Sequence, residues 1–219
     1  MAYGNGMKQL NPCGDGLILS LLEEYCTAPG AVLDAGCGRG DRLSALHAAL
    51  PGTGLWGIDR DEENAALAAV TCPAAEIAVG DVCALPWGRG CFDAALCECT
   101  LSLTASPETA LAELHRVLRP GGVLLLGDLC AERCTGGSVE LGCGTVKTLF
   151  SRAWLESAVR RAGFCIREHR DCREALLTMA AQMIFDGSFD ACVDAGAAKA
   201  LKEYRAGYGL WVLEKEAGS

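Results

Sequence analysis

Residues 32–40 read VLDAGCGRG, an apolar run that breaks into three alternating glycines. Ala31, Val32, Leu33 and Ala35 give a short apolar strand. A helical pattern starts at Asp41 and places Leu43, Leu46 and Leu50 on one face. Between them stand glycines 36, 38 and 40, which remove Cβ atoms where a ligand must approach the backbone. The N-terminus of the helix that follows favours an anionic group. Two details narrow the ligand. The spacing is GxGxG, not GxGxxG, and Asp34 stands two residues before the first glycine. A carboxylate there opposes a pyrophosphate and suits a ligand that carries an ammonium group. A tight strand–helix turn with no ligand is the plain alternative.

Working outward, a short apolar run followed by an amphipathic helix recurs, which is the mark of βαβ units and a parallel sheet. A helix is expected over 16–25 with Asp15 as its N-cap. Strands are expected over 31–35, 55–58, 76–79, 92–97 and 123–127, with a helix over 61–70. Ser106 and Pro107 open the clearest helix, with Leu111, Leu114 and Leu118 at helical spacing, and Arg119-Pro120-Gly121-Gly122 stops it. Ser151 caps a helix that runs to Ala162, Gly163 ends it, and a strand follows over 164–169. A helical stretch over 173–204 precedes a last strand over 208–213. Such a long connection often serves as a lid or an interaction surface.

Two further acids fall at strand ends. Asp59, in GIDRD, sits where a carboxylate accepts both hydroxyls of a ribose, and Asp81, in GDVCALPW, can accept from an exocyclic adenine amine. Each alone reads equally well as a turn or capping aspartate. Three acids at successive strand ends of one sheet are harder to dismiss.

The run VLDAGCGRG, GIDRD, GDVCALPW, FDAALCECTLSL and ELHRVLRPGGVLLLGD resembles the class I S-adenosylmethionine-dependent methyltransferases, in the type 11 small-molecule group. The resemblance covers about residues 30–130. It implies an α/β, Rossmann-like seven-stranded sheet, mostly parallel with an antiparallel last strand. Helices cover both faces, and a helical insertion lies between the last two strands. The whole of 1–219 is then one methyltransferase domain, with 131–150 and 173–205 as cap or insert segments. The resemblance also implies that Asp34, Gly36, Cys37 and Gly38 hold the methionine end of S-adenosylmethionine and that Asp59 takes the ribose. Asp81 and Val82 take the adenine, and Cys97 borders the cofactor. Arg60 stands where such proteins often stack an apolar side chain on adenine, and its guanidinium plane can stack instead.

A sulfonium methyl is already electrophilic, so the reaction asks mainly for alignment of an acceptor and exclusion of water. Glu98, at the end of strand 4, faces the region where an acceptor would sit and is the candidate catalytic carboxylate, with a turn-capping role as the alternative. His115 lies mid-helix and reads as a packing or surface residue.

Fourteen cysteines need an account. No CxxC pair occurs, which removes the zinc-ribbon and thioredoxin readings, and no resident metal is expected. Most of the thiols read as small core hydrophobes. Cys97, Cys99, Cys130 and Cys134 nevertheless follow strands 4 and 5, where an open sheet binds ligands. The pattern is also similar to the arsenite methyltransferases. On that resemblance Cys99 and Cys143 match the acceptor thiols, and Cys13 is a loose third. Three soft thiolates suit As(III), whereas coincidence in a cysteine-rich chain is the competing account.

The formal net charge of −9 in 219 residues, without a Lys/Arg run, argues against a nucleic-acid footprint. No apolar run reaches the ~20 residues that span a bilayer. No basic region leads into an apolar signal stretch at the N-terminus, so the expected setting is the cytoplasm. The expected partner is a small-molecule substrate, and oligomeric state is left open. A nucleotide-binding dehydrogenase and a non-catalytic subunit that keeps the cofactor pocket are the rival classes.

Overall fold

A computed structural model describes residues 12–134, 137–140, 148–187, 189 and 195–217. Helix α1 (Gly14–Tyr25) leads into β1 (Ala31–Ala35), α2 (Asp41–Ala49), β2 (Gly54–Asp59), α3 (Glu62–Thr71), β3 (Ala75–Val79) and β4 (Phe92–Glu98). A 3-10 turn (Leu101–Leu103), α4 (Pro107–Val117) and β5 (Leu118–Ala131) follow. The chain then forms β6 (Ser138–Glu140), β7 (Thr148–Ser151), α5 (Arg152–Arg161), β8 (Phe164–Asp171) and α6 (Arg173–Phe185). It ends in α7 (Ala195–Glu203) and β9 (Ala206–Lys215).

Seven strands make the main sheet, in the order β3-β2-β1-β4-β5-β9-β8, with β9 antiparallel to both neighbours. The expected sheet and its antiparallel last strand are therefore present. Two short strands are added to it. The β6–β7 hairpin docks on the far end of β5, where Cys130 and Ala131 pair with Phe150 and Ser151. This hairpin occupies part of the 131–150 insert. Among the described residues, the 173–205 insert contains α6 and α7.

The central strands are buried on both faces, which is why β1 and the 123–126 run are apolar at every position but Asp34. Leu33, Leu124, Leu126 and Trp211 meet Leu111 and Leu114 of α4 and Leu155 of α5 on one face. Val32, Leu125, Leu210 and Val212 meet Ile18 and Leu22 of α1 and Leu43 and Leu46 of α2 on the other. Among the described residues, no helix is long and apolar enough to cross a membrane.

Local differences have local causes. Asp15 does not cap α1; the helix begins at Gly14 and Asp15 lies in its first turn, where Arg42 engages its carboxylate. Ser106 bonds Thr109 Oγ1 at 2.7 Å and makes no capping bond to the backbone. Leu118 keeps helical spacing with Leu111 and Leu114, yet it pairs with Phe92 as a strand residue, and the 119–122 turn forms a bulge before Val123 meets Ala94. Ser151 does cap α5, accepting from Trp154 N–H at 3.1 Å.

Candidate cofactor and acceptor site

The 36–40 loop turns at the carboxyl end of β1, and its glycines are there for steric reasons. Gly36 has φ +85°, and a Cβ on it would lie 2.1 Å from Thr100 Oγ1. Gly40 also has φ +85°, and a Cβ there would meet Ala68 Cα of α3 at 2.8 Å. The loop is fastened from below: Gly36 and Cys37 N–H donate to Ile58 O at 2.8 and 3.0 Å. Asp59 fastens it from the side. Its Oδ2 accepts from Gly38 N–H at 2.8 Å while its Oδ1 accepts from Asp61 N–H at 3.0 Å. Asp61 in turn caps α3. One carboxylate at the end of β2 thereby positions the glycine loop and the following helix.

Asp34 is 4% exposed, and its Oδ2 has no hydrogen-bond partner. Burial pushes its carboxyl up to about 7, with Arg42 pulling it down and Glu98 and Asp59 adding to the rise. An orphaned acceptor beside a loop that lacks side chains is a fit for a ligand with a donor, and an ammonium group is the donor that such a carboxylate holds best.

Glu98 closes the same edge from β4. Its Oε2 accepts from Arg42 Nε at 3.0 Å and from Nη2 at 2.7 Å, and Arg42 is 1% exposed in side chain. Arg42 therefore links Asp15 of α1, the start of α2 and the end of β4. The sequence reading missed it, although a signal was present: Arg42 stands at i−4 from Leu46 on the apolar face of α2.

Other expected residues fall as follows. Arg60 is exposed, and its Nη1 donates to Leu103 O at 3.2 Å, across the rim of the loop. Asp81 is exposed, and its Oδ1 closes a turn on Cys83 N–H at 2.8 Å, while Val82 is buried in the core. Cys37 and Cys97 are fully buried, with thiols pushed up chiefly by desolvation. Cys99 has φ +50°, a left-handed conformation that costs a side-chain-bearing residue about 1–2 kcal/mol. Its N–H donates to Gly127 O at 2.8 Å and its Sγ to Tyr208 Oη at 3.5 Å. Burial pushes this thiol up as well. Nearby Asp128 is wholly buried and accepts from Ser102 N–H at 2.9 Å, with its carboxyl raised by burial to about 6.

The expected thiol cup draws on Cys13, Cys99 and Cys143. Cys143 lies outside the described residues. Among the described residues, no three His, Cys, Asp or Glu side chains gather closely enough to hold a metal ion.

A seven-stranded sheet of this order, with a glycine loop after β1 and acids ending β1 and β2, defines the class I Rossmann-like methyltransferase fold. Residues 33–126 match the family described as "Methyltransferase domain". Over this stretch the chain is similar to S-adenosylmethionine-dependent methyltransferases of the type 11 group. It is 30% identical over 152 residues to the O-methyltransferase cnsE of Penicillium expansum, covering 65% of this chain and 55% of that protein. The fold is similar to that of the cyclase SpnF, with a TM-score of 0.72 at 22% identity, covering 99% of this chain and 88% of SpnF. A geranyl diphosphate methyltransferase solved with sinefungin has a TM-score of 0.68 at 16% identity, over 91% of this chain and 78% of that one. The chain spans between a third and a little over half of the length of the curated relatives it matches.

Proposed function

We propose that this chain binds S-adenosylmethionine at the carboxyl edge of β1 and β2 and transfers its methyl group to a small-molecule acceptor. The observation that carries the reading is the buried, unpartnered Oδ2 of Asp34 beside the glycine loop. It is where the ammonium of the methionine moiety would bind, with Gly36, Cys37 and Gly38 offering backbone around it. Asp59, already oriented by Gly38 and Asp61, would accept from the ribose hydroxyls. Asp81 and Val82 would border the adenine, and Arg60 would lie along the rim of the same pocket. Cys97 would back the site from within the sheet. The bound cofactor supplies an electrophilic methyl group.

The residues of this chain orient and exclude water. Glu98 acts through Arg42, holding the ends of α2 and β4 at fixed spacing, and Cys99 with Tyr208 lines the approach of the acceptor. No base is needed for a soft nucleophile. All twelve cysteines among the described residues are free thiols, which supports a reducing, cytoplasmic setting.

Calorimetry on the purified chain tests the reading. S-adenosylmethionine and its product S-adenosylhomocysteine bind, and NAD and NADP do not; tight NAD binding with no response to S-adenosylmethionine sinks the proposal. Release of the product with an acceptor library then separates an enzyme from a cofactor-holding subunit.

A further inference from the structure

A cavity of about 370 Å³ opens at the carboxyl end of β5, between the loop that follows it, the first turn of α5, the end of β8 and the start of β9. It lies beyond β4 from the 36–40 loop and shares no residue with that loop, with Asp34 or with Asp59. Its volume falls at the lower end of the ~300–1,000 Å³ range of small-molecule sites, which leaves room for one ring and its substituents.

Glycine makes the opening. Gly207 and Gly209 both line it, for different reasons. A Cβ on Gly209 would lie 2.3 Å from the ring of Trp211, so packing demands that glycine. A Cβ on Gly207 would meet nothing closer than 3.9 Å, and its φ is not left-handed. Nor does β9 bulge there, because Cys130 pairs with Gly207 and Ala131 with Ala206 in continuous register with β5. A glycine inside a strand weakens it. With neither a bulge nor a close neighbour to require it, the remaining reason is the close approach of a ligand.

The walls narrow the ligand. Their charges are already engaged: Glu132 meets Arg173 at 3.0 Å and Arg205 at 3.4 Å, Arg152 Nε meets Glu156 at 2.7 Å, and Asp171 accepts from Arg173 N–H at 2.9 Å. An ion placed among these groups would gain one partner and oppose another, so an uncharged ligand is favoured. His169 packs on Trp211 with ring centroids 4.7 Å apart, and among the described residues its nitrogens meet no hydrogen-bond partner. Burial, with the Arg152 charge adding to it, holds this imidazole below its ordinary value. A neutral imidazole has one nitrogen that accepts a hydrogen bond.

We propose that this cavity is a second small-molecule site, which takes an uncharged hydroxylated aromatic ring. The ring lies over Gly207, and its hydroxyl donates to His169.

The test uses phenol as the probe and the cavity's own thiols as reporters, since Cys130 and Cys134 both line it and are partly exposed. The full chain is treated with N-ethylmaleimide, and the alkylation rate of each cysteine is followed by mass spectrometry. So small a ligand is expected to bind with a dissociation constant of about 1 mM. Phenol at about 10 mM should then slow alkylation of Cys130 and Cys134 about tenfold, the factor 1 + [L]/Kd. Cys165, at the far end of β8, should react at its original rate. Toluene, which lacks the hydroxyl, and benzoate, which carries a charge, should protect less. His169→Phe should reduce phenol to the level of toluene, and Gly207→Leu should remove the protection. Unchanged rates at both cavity thiols overturn the inference, as does equal protection of Cys165 or benzoate protecting as well as phenol. Circular dichroism checks that the variants fold, and the wild-type rates decide alone if they do not. If neither thiol reacts, saturation-transfer NMR of phenol on the same chain reads the binding. No cofactor is present in these experiments, so their failure leaves the methyl-transfer reading untouched.

Discussion

Replacing Asp34 by Asn should make the free protein more stable and the cofactor complex weaker. Burial raises this carboxyl from its ordinary 3.8 to about 7, so the folded chain holds the proton more tightly than the unfolded chain does. The stability contributed by that proton is full below about pH 4 and is lost as pH rises through about 7. At 1.36 kcal/mol per pH unit, the interval from 3.8 to about 7 corresponds to at most about 4 kcal/mol. Asn keeps the shape and resembles the protonated acid at every pH, although it gives up the attraction of Arg42. Urea unfolding should therefore show Asp34→Asn more stable than wild type by about 2–4 kcal/mol near pH 8, with the difference vanishing near pH 4. Calorimetry near pH 8 should show S-adenosylmethionine binding about 10–100-fold weaker, the loss of one charge-assisted hydrogen bond. An unchanged affinity, or an Asn variant less stable than wild type near pH 8, would refute the reasoning.

Asp59→Ala should weaken cofactor binding by about 2–4 kcal/mol and also lower the stability of the free protein by about 1–2 kcal/mol, because Asp59 accepts from Gly38 and Asp61 N–H; parallel calorimetry and urea titrations separate the two losses. Arg42→Met removes the cation facing Glu98, whose side chain is 8% exposed, and should cost about 3–5 kcal/mol of stability. Adding Glu98→Gln to Arg42→Met should restore much of that loss in thermal melts, and a double variant as unstable as the single one would show that the pair is not what holds β4 to α2.

The parts of the fold that were legible in the sequence are those fixed by local chemistry. Strand 31–35 came out with its expected limits because five apolar or buried positions end at a glycine. Ser151 caps its helix because it is an acceptor just before a run of helix formers. What was not legible depends on partners far along the chain. Asp15 looks like a cap until Arg42 is beside it, and Leu118 looks helical until Phe92 pairs with it. The β6–β7 hairpin has no local signature because β7 finds its place only where β5 runs past β4.

The site divides in the same way. Asp34, Asp59 and the glycines were readable because strand ends and glycine spacing are local. The occupation of Glu98 was not, since its partner lies on α2. Together these residues argue against the plain strand–helix turn. A turn without a ligand needs glycine at the tight positions, and it gains nothing from a buried carboxylate with an open acceptor atom or from a left-handed cysteine. Such costs persist where the surrounding structure holds them in place, and they cluster where a bound group recovers the energy. Asp34 and Glu98 end β1 and β4, which are adjacent in the sheet, and Cys99 follows at once. On the proposed reading, a ligand bound at this sheet edge, around the glycine loop, is what would satisfy the open acceptor of Asp34.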